Sequence, residues 1–95
     1  MDSANATDHK HAEILTHMLG ASKHHKKSSH GFRNYFCAEV SSDTYKVLRQ
    51  MAFLGLVREG RKINQDRDQY FIATEAGCKA IGLSKAATKR ALSSN

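Results

Sequence analysis

The stretch LRQMAFLGLVREG, residues 48–60, constrains the fold more than any other: a helical apolar pattern ends at Gly55 and a β-rich pattern starts at once. Upstream, in SSDTYKVLRQMAFLG, Ser41, Ser42 or Asp43 can cap the free N–H groups of a helix start, and an acid there suits the helix dipole. Projected as a helix, Thr44, Tyr45, Met51, Ala52 and Gly55 gather around Leu48, with Val47 and Leu54 flanking, so this face is expected in the core. The other face carries Lys46, Arg49, Gln50 and Phe53. The first three are side chains that reach base edges or phosphates when a helix enters a major groove, and Phe53 suits a thymine methyl or a protein partner. Gly55 can adopt the left-handed conformation that ends a helix.

Beyond Gly55, LVREGRKI and QYFIAT are β-rich runs on either side of NQDRD, whose Asn and Asp residues favour a turn. A hairpin is the economical reading. TEAGCKAIGL then opens with Thr74 as an N-cap and directs Ala76, Ala80, Ile81 and Leu83 toward the core of a third helix. Gly82 and Ser84 interrupt it before SKAATKRALSSN, a short basic stretch that is helical or frayed.

The first half is less regular. MDSANATD is polar and lacks apolar periodicity, so a frayed N-terminus is expected. Asp8 or Thr7 can cap a helix over HKHAEILTHMLGA, with Ile14, Leu15, Met18 and Leu19 on one stripe and Gly20 at its end. His9, Glu13 and His17 fall four apart on the opposite face, a spacing that suits a divalent metal. With no further ligand evident they read as a solvated polar face, and no metal is expected. ASKHHKKSSH, residues 21–30, has no apolar periodicity and a dense positive charge, the pattern of an exposed loop that can lie along phosphates. GFRNYFCAEV allows a short strand or a short helix; either way Phe32, Tyr35 and Phe36 are expected to supply core, with an aromatic base-stacking platform as the other use of such rings.

Charge is distributed unevenly along the 95 residues. The net charge of +6 arises because residues 23–35 and 76–95 each carry four cations and no acid, while residues 1–22 are net −2 and the rest balances. Such an excess invites a polyanionic partner. Cys37 and Cys78 lie far apart without metal or dithiol spacing and are expected to be reduced, small buried hydrophobes. One domain of this length buries roughly 60 to 70% of its unfolded surface. No run of about 18 apolar residues appears, so a soluble, cytoplasmic protein without membrane attachment is expected. The motifs of nucleophile elbows, P-loops and paired-carboxylate sites are missing, so neither an enzyme nor a cofactor is expected.

The order helix, Gly-Leu-Val, hairpin, Thr-x-x-Gly resembles the C-terminal half of winged helix-turn-helix proteins. In the MarR-like and PadR-like regulators a recognition helix S-x-x-T-x-x-x-L runs into G-L-[IV]-x-R, a basic wing and [YF]-x-[LI]-T-x-x-G. The matching residues are Ser41, Thr44 and Leu48, then Gly55, Leu56 and Val57, then Tyr70, Ile72, Thr74 and Gly77. Near half the chain is covered. Three features depart from that pattern: Glu59 stands where Arg belongs, the hairpin is electrically neutral, and no clear helix precedes the recognition helix. More loosely, HMLG (His17 to Gly20), RNYF (Arg33 to Phe36) and a wing ending in T-x-x-G resemble small uncharacterised proteins of tailed phages and prophages.

The expected fold is thus α+β: a compact winged-helix-like domain with about three helices and a β-hairpin wing. It would span residues 9–83, between a disordered N-terminus (1–8) and a basic C-terminal tail (84–95). The resemblance implies a phage-type transcriptional regulator that binds double-stranded DNA. Lys46, Arg49 and Gln50 would face bases, and Thr44, Lys23, Lys26, Lys27, Arg33, Arg61, Lys62 and Arg67 would hold phosphates. A homodimer through the last helix would add affinity. The alternative is a protein-interaction module that modulates a host protein, using Phe53 with Lys46 and Arg49.

Overall fold

Seven regular elements follow one another in the computed structural model, which describes residues 8–93. Helix α1 spans His9–Met18, strand β1 Phe36–Glu39, helix α2 Asp43–Phe53, strand β2 Val57–Ile63, strand β3 Asp68–Ala73, helix α3 Glu75–Ala80 and helix α4 Lys85–Ser93. A single 3₁₀ turn, Lys27–Ser29, sits in the loop after α1. The strands form one antiparallel sheet in the order β1-β3-β2. The fold is α+β and winged-helix-like, with four helices rather than three. Residues 1–7, most of the expected disordered N-terminus, lie outside the described residues.

Asp8 starts α1 by accepting from the Lys10 N–H at 2.8 Å, and Ile14, Leu15 and Met18 bury the stripe that the sequence pattern marks. Gly20 ends the helix with φ +61°, and a Cβ there would strike the Phe32 ring, so both backbone and packing require glycine. Arg33 reaches back and donates through Nε and Nη2 to the His17 carbonyl at 3.2 and 2.7 Å, adding to the Gly20 N–H that the same oxygen accepts at 3.2 Å.

GFRNYFCAEV resolves into a strand, and its expected core is corrected. Phe32 and Tyr35 are 47% and 51% exposed, and only Phe36 packs against the core. Asn34 is buried instead, at 2% exposure. Its amide donates to the Ala73 carbonyl at 3.1 Å and accepts from the Ala73 N–H at 2.8 Å, as a strand neighbour would. That clamp draws the chain alongside β3 and fixes which alternate side chains turn inward; Ala38 follows Asn34 into the core while Tyr35 turns outward and so, against expectation, does Cys37, leaving Cys78 as the buried thiol.

The chain therefore enters α2 from the sheet and not from a preceding helix. Ser42 caps α2, accepting from the Tyr45 N–H at 3.1 Å, and Tyr45, Leu48 and Met51 are buried. Leu54, expected beside the core stripe, is 56% exposed, because the helix ends at Phe53 and Gly55 turns the chain with φ +81°. In the hairpin, Asn64, Gln65 and Asp66 all adopt left-handed backbone angles, and Asn64 donates to the Asp68 carboxylate at 2.6 Å. A bulge interrupts β2 between Glu59 and Lys62. Buried Gln69 bridges it, donating to the Gly60 carbonyl at 3.0 Å and accepting from the Tyr45 hydroxyl at 2.9 Å.

Thr74 caps α3 as the sequence implies, accepting from the Gly77 N–H at 3.1 Å. Ala76 is exposed, against expectation, and Gly77 and Cys78 take the buried positions. Gly77 faces the Leu56 carbonyl, and that close approach rotates Ala76 away. The segment from 84 is not a tail over its described residues. Ser84 accepts from the Ala87 N–H at 3.1 Å, and Ala87, Thr88 and Ala91 of α4 are buried, with Ala91 in the same core cluster as Leu15, Leu48 and Phe71. Full burial of each such leucine contributes about 1.5–3 kcal/mol.

Candidate nucleic-acid interface

The outward face of α2 is set by burial of its opposite side, and Lys46, Arg49, Gln50 and Phe53 are all exposed on it, as expected. Thr44, in the first turn, is half-buried. Phe53 is 91% exposed, with Leu54 beside it.

These side chains are not equally available. Arg49 donates through Nε to Oε2 of Glu59 at 2.7 Å and through Nη1 to the Tyr45 hydroxyl at 3.3 Å. The Tyr45 hydrogen bond, and then the Glu59 carboxylate, hold the guanidinium above its ordinary pKa, so it stays charged. Glu59 thus occupies the arginine most suited to reading a base, and it ties α2 to the wing. Lys46 lies 4.0 Å from Asp43, an exposed pair of little strength. Gln50 Oε1 shares a 3.3 Å hydrogen bond with Nε2 of buried His11, which leaves the Gln50 amide nitrogen facing outward from an exposed residue.

Along the wing, Arg61 and Lys62 are exposed at the β2 bulge, and Arg67 is exposed in the turn, where its backbone carbonyl accepts from the Val40 N–H at 2.8 Å. Because Gln69 bonds Tyr45 and pairs with Lys62, the distal half of the wing flanks the first turn of α2. Thr44, Lys46, Arg49, Gln50, Arg61, Lys62 and Arg67 are thereby grouped on the helix and its adjoining wing.

The remaining expected residues belong elsewhere. Lys23, Lys26 and Lys27 are exposed in the loop that follows the C-terminal end of α1, while Gln50 meets His11 near its N-terminal end. The helix from His11 to Met18 separates the two groups by about 10 Å at 1.5 Å per residue. The loop is ordered by its own contacts: Ser22 and His25 side chains bond at 2.9 Å, and His30 donates to the His25 carbonyl at 3.2 Å. Arg33 is engaged as the cap of α1, with its guanidinium 5.4 Å from the Phe32 ring centre.

One cation left without a role by the sequence pattern, Arg90, lies against this loop. Arg90 of α4 donates to the His30 carbonyl, and Gly31, with φ +82°, packs on the Ala87 backbone where a side chain would not fit. Lys85, Lys89 and Arg90 are exposed on the outward side of α4. The signal was present as the acid-free charge of residues 76–95, but nothing local joins it to a loop 60 residues away.

Among the described residues, no group of three or more His, Cys, Asp or Glu side chains could hold a metal ion, and no helix is long and apolar enough to cross a membrane. Comparison with family models, curated proteins and solved structures gave no match.

Proposed function

We propose that this chain is a small DNA-binding protein of the regulator type, acting in the cytoplasm, with α2 as the helix that enters the major groove. The observation that carries the reading is α2 itself: it buries Tyr45, Leu48 and Met51 while presenting Lys46 and Gln50 to solvent beside a hairpin wing. Lys46 and Gln50 are the base-facing residues in this arrangement: with its oxygen held by His11, the Gln50 amide donates through its nitrogen to a base-edge acceptor, as Lys46 does through its ammonium. Arg49, held by Glu59, fixes the angle between helix and wing, and Arg61, Lys62 and Arg67 lie along phosphates. The test is duplex binding by Lys46→Ala and Gln50→Ala. Loss of preference for one sequence over another, with residual salt-sensitive binding, supports the assignment; unchanged preference in both variants refutes it.

The exposure of Phe53 favours a second reading, in which α2 and the neutralised Arg49–Glu59 pair form a mixed apolar and polar surface for a host protein. Phe53→Ala separates the two: DNA binding persists in the first reading, and capture of a stoichiometric partner is lost in the second.

A further inference from the structure

We infer that the loop of residues 23–30 and the outward side of α4 form a single phosphate-binding face for duplex DNA, separate from α2 and the wing. This rests on the DNA-binding reading and adds Lys85, Lys89 and Arg90 to it.

The face is assembled from the two acid-free segments of the chain. Each supplies three of its four cations, Lys23, Lys26 and Lys27 from one and Lys85, Lys89 and Arg90 from the other, and the Arg90 to His30 hydrogen bond and the seat of Gly31 on α4 bring the two segments into contact. Ion pairing then distinguishes this face from α2. Lys46 and Arg49 each have an acid within 4.0 Å. Among the described residues, Lys23, Lys26, Lys27, Lys85, Lys89 and Arg90 have none. Cations without carboxylate partners are available to neutralise phosphates, and release of the counterions condensed on the duplex then drives binding.

Geometry favours a phosphate strand over a bilayer. Lys85 and Lys89 lie one turn apart on the exposed side of α4, about 6 Å along the axis, within reach of one strand. Ala87 and Ala91 of α4 face inward and its exposed apolar residues are Ala86 and Leu92, so the helix offers little to insert into lipid. A cavity between the loop and the connection from α3 to α4 is lined by Lys27, His30, Thr16, Ser84, Ile81 and Leu83, so both segments border one concave site. The separation from Gln50 along α1 places this face on a different stretch of backbone from the one the wing touches.

The experiment is a fluorescence-anisotropy titration of the full chain with a labelled duplex over a range of salt. Wild type is compared with Lys85→Glu/Lys89→Glu, with the milder Lys85→Gln/Lys89→Gln, and with Lys26→Glu/Lys27→Glu, each checked for wild-type circular dichroism. The inference predicts an affinity loss of about tenfold or more for each pair, a salt slope lower by about 2, and an unaltered sequence preference. Wild-type affinity and slope in all three would overturn the inference while leaving the DNA reading intact. Failure of the wild type to bind any duplex would overturn the DNA reading and this face with it. Binding to phosphatidylserine vesicles but not to duplex would assign the face to a membrane and overturn it equally.

Discussion

The Thr74 hydroxyl donates to the carbonyl of Gly55 at 2.6 Å, joining the two ends of the hairpin at the point where α2 stops and α3 starts. The same hydroxyl oxygen accepts from Gly77, and Gly77 lies against the Leu56 carbonyl with no room for a side chain. The spaced residues Gly55, Leu56, Thr74 and Gly77 are therefore one contact unit, which explains why their order along the chain carries fold information.

Gly77→Ala should destabilise the fold although alanine favours helices by about 1 kcal/mol, because the new methyl overlaps backbone rather than a movable side chain; about 1–3 kcal/mol is expected. Thr74→Ala should cost about 0.5–2 kcal/mol through the lost cap. Urea midpoints measure both, with Gly82→Ala as a control in open space that bears only the strain of its φ of +72°.

Asn34→Ala should cost about 2–4 kcal/mol, since both backbone groups of Ala73 lose their partner within a buried site. Asn34→Asp should also destabilise, because a carboxylate cannot donate to the Ala73 carbonyl. An Asn34→Ala variant with a wild-type urea midpoint would show that the clamp contributes nothing.

Glu59→Gln should strengthen duplex binding. It removes the acid that engages Arg49 and restores a net positive wing, so the salt slope should steepen by up to about 0.9, the contribution of one phosphate contact. Weaker binding in this variant would mean that the pair itself is needed to hold the helix against the wing.

The two thiols should differ in reactivity. Cys37 is exposed, but burial of its sulfur and then the nearby Asp68 carboxylate push its pKa up, so less thiolate is present at neutral pH than in a free peptide. Labelling with a disulfide reagent should be slow near pH 7 and accelerate as pH rises past the ordinary thiol range. Asp68→Asn should speed it at fixed pH. Cys78 is buried, with its pKa raised chiefly by desolvation, and should react only as the protein unfolds.

What was legible in the sequence is what local chemistry decides. Asp8 and Thr74 as caps, the Gly55 stop, the turn at NQDRD and the exposed face of α2 each depend on residues within a few positions of one another, and the structure places them as read. Asn34 was not legible as a core residue, because its burial depends on Ala73, 39 residues away. Phe32 and Tyr35 were misplaced for the same reason: aromatic character suggests burial, but the register set by Asn34 turns Tyr35 outward, and Phe32 instead covers Gly20. In α4 the buried residues are Ala87, Thr88 and Ala91, too small to give an apolar stripe, so a packed helix resembled a tail. The candidate site divided likewise: the helix face was readable, whereas the Glu59 hold on Arg49 and the meeting of loop and α4 are tertiary facts.

The most direct measurement of the central claim is an anisotropy titration of the wild-type chain with a random-sequence duplex and with the DNA upstream of its own coding region, at low and near-physiological salt. The account predicts salt-sensitive binding to both duplexes, tighter on the upstream DNA and retained there at near-physiological salt. Weak, equal binding to both that vanishes at near-physiological salt would contradict it.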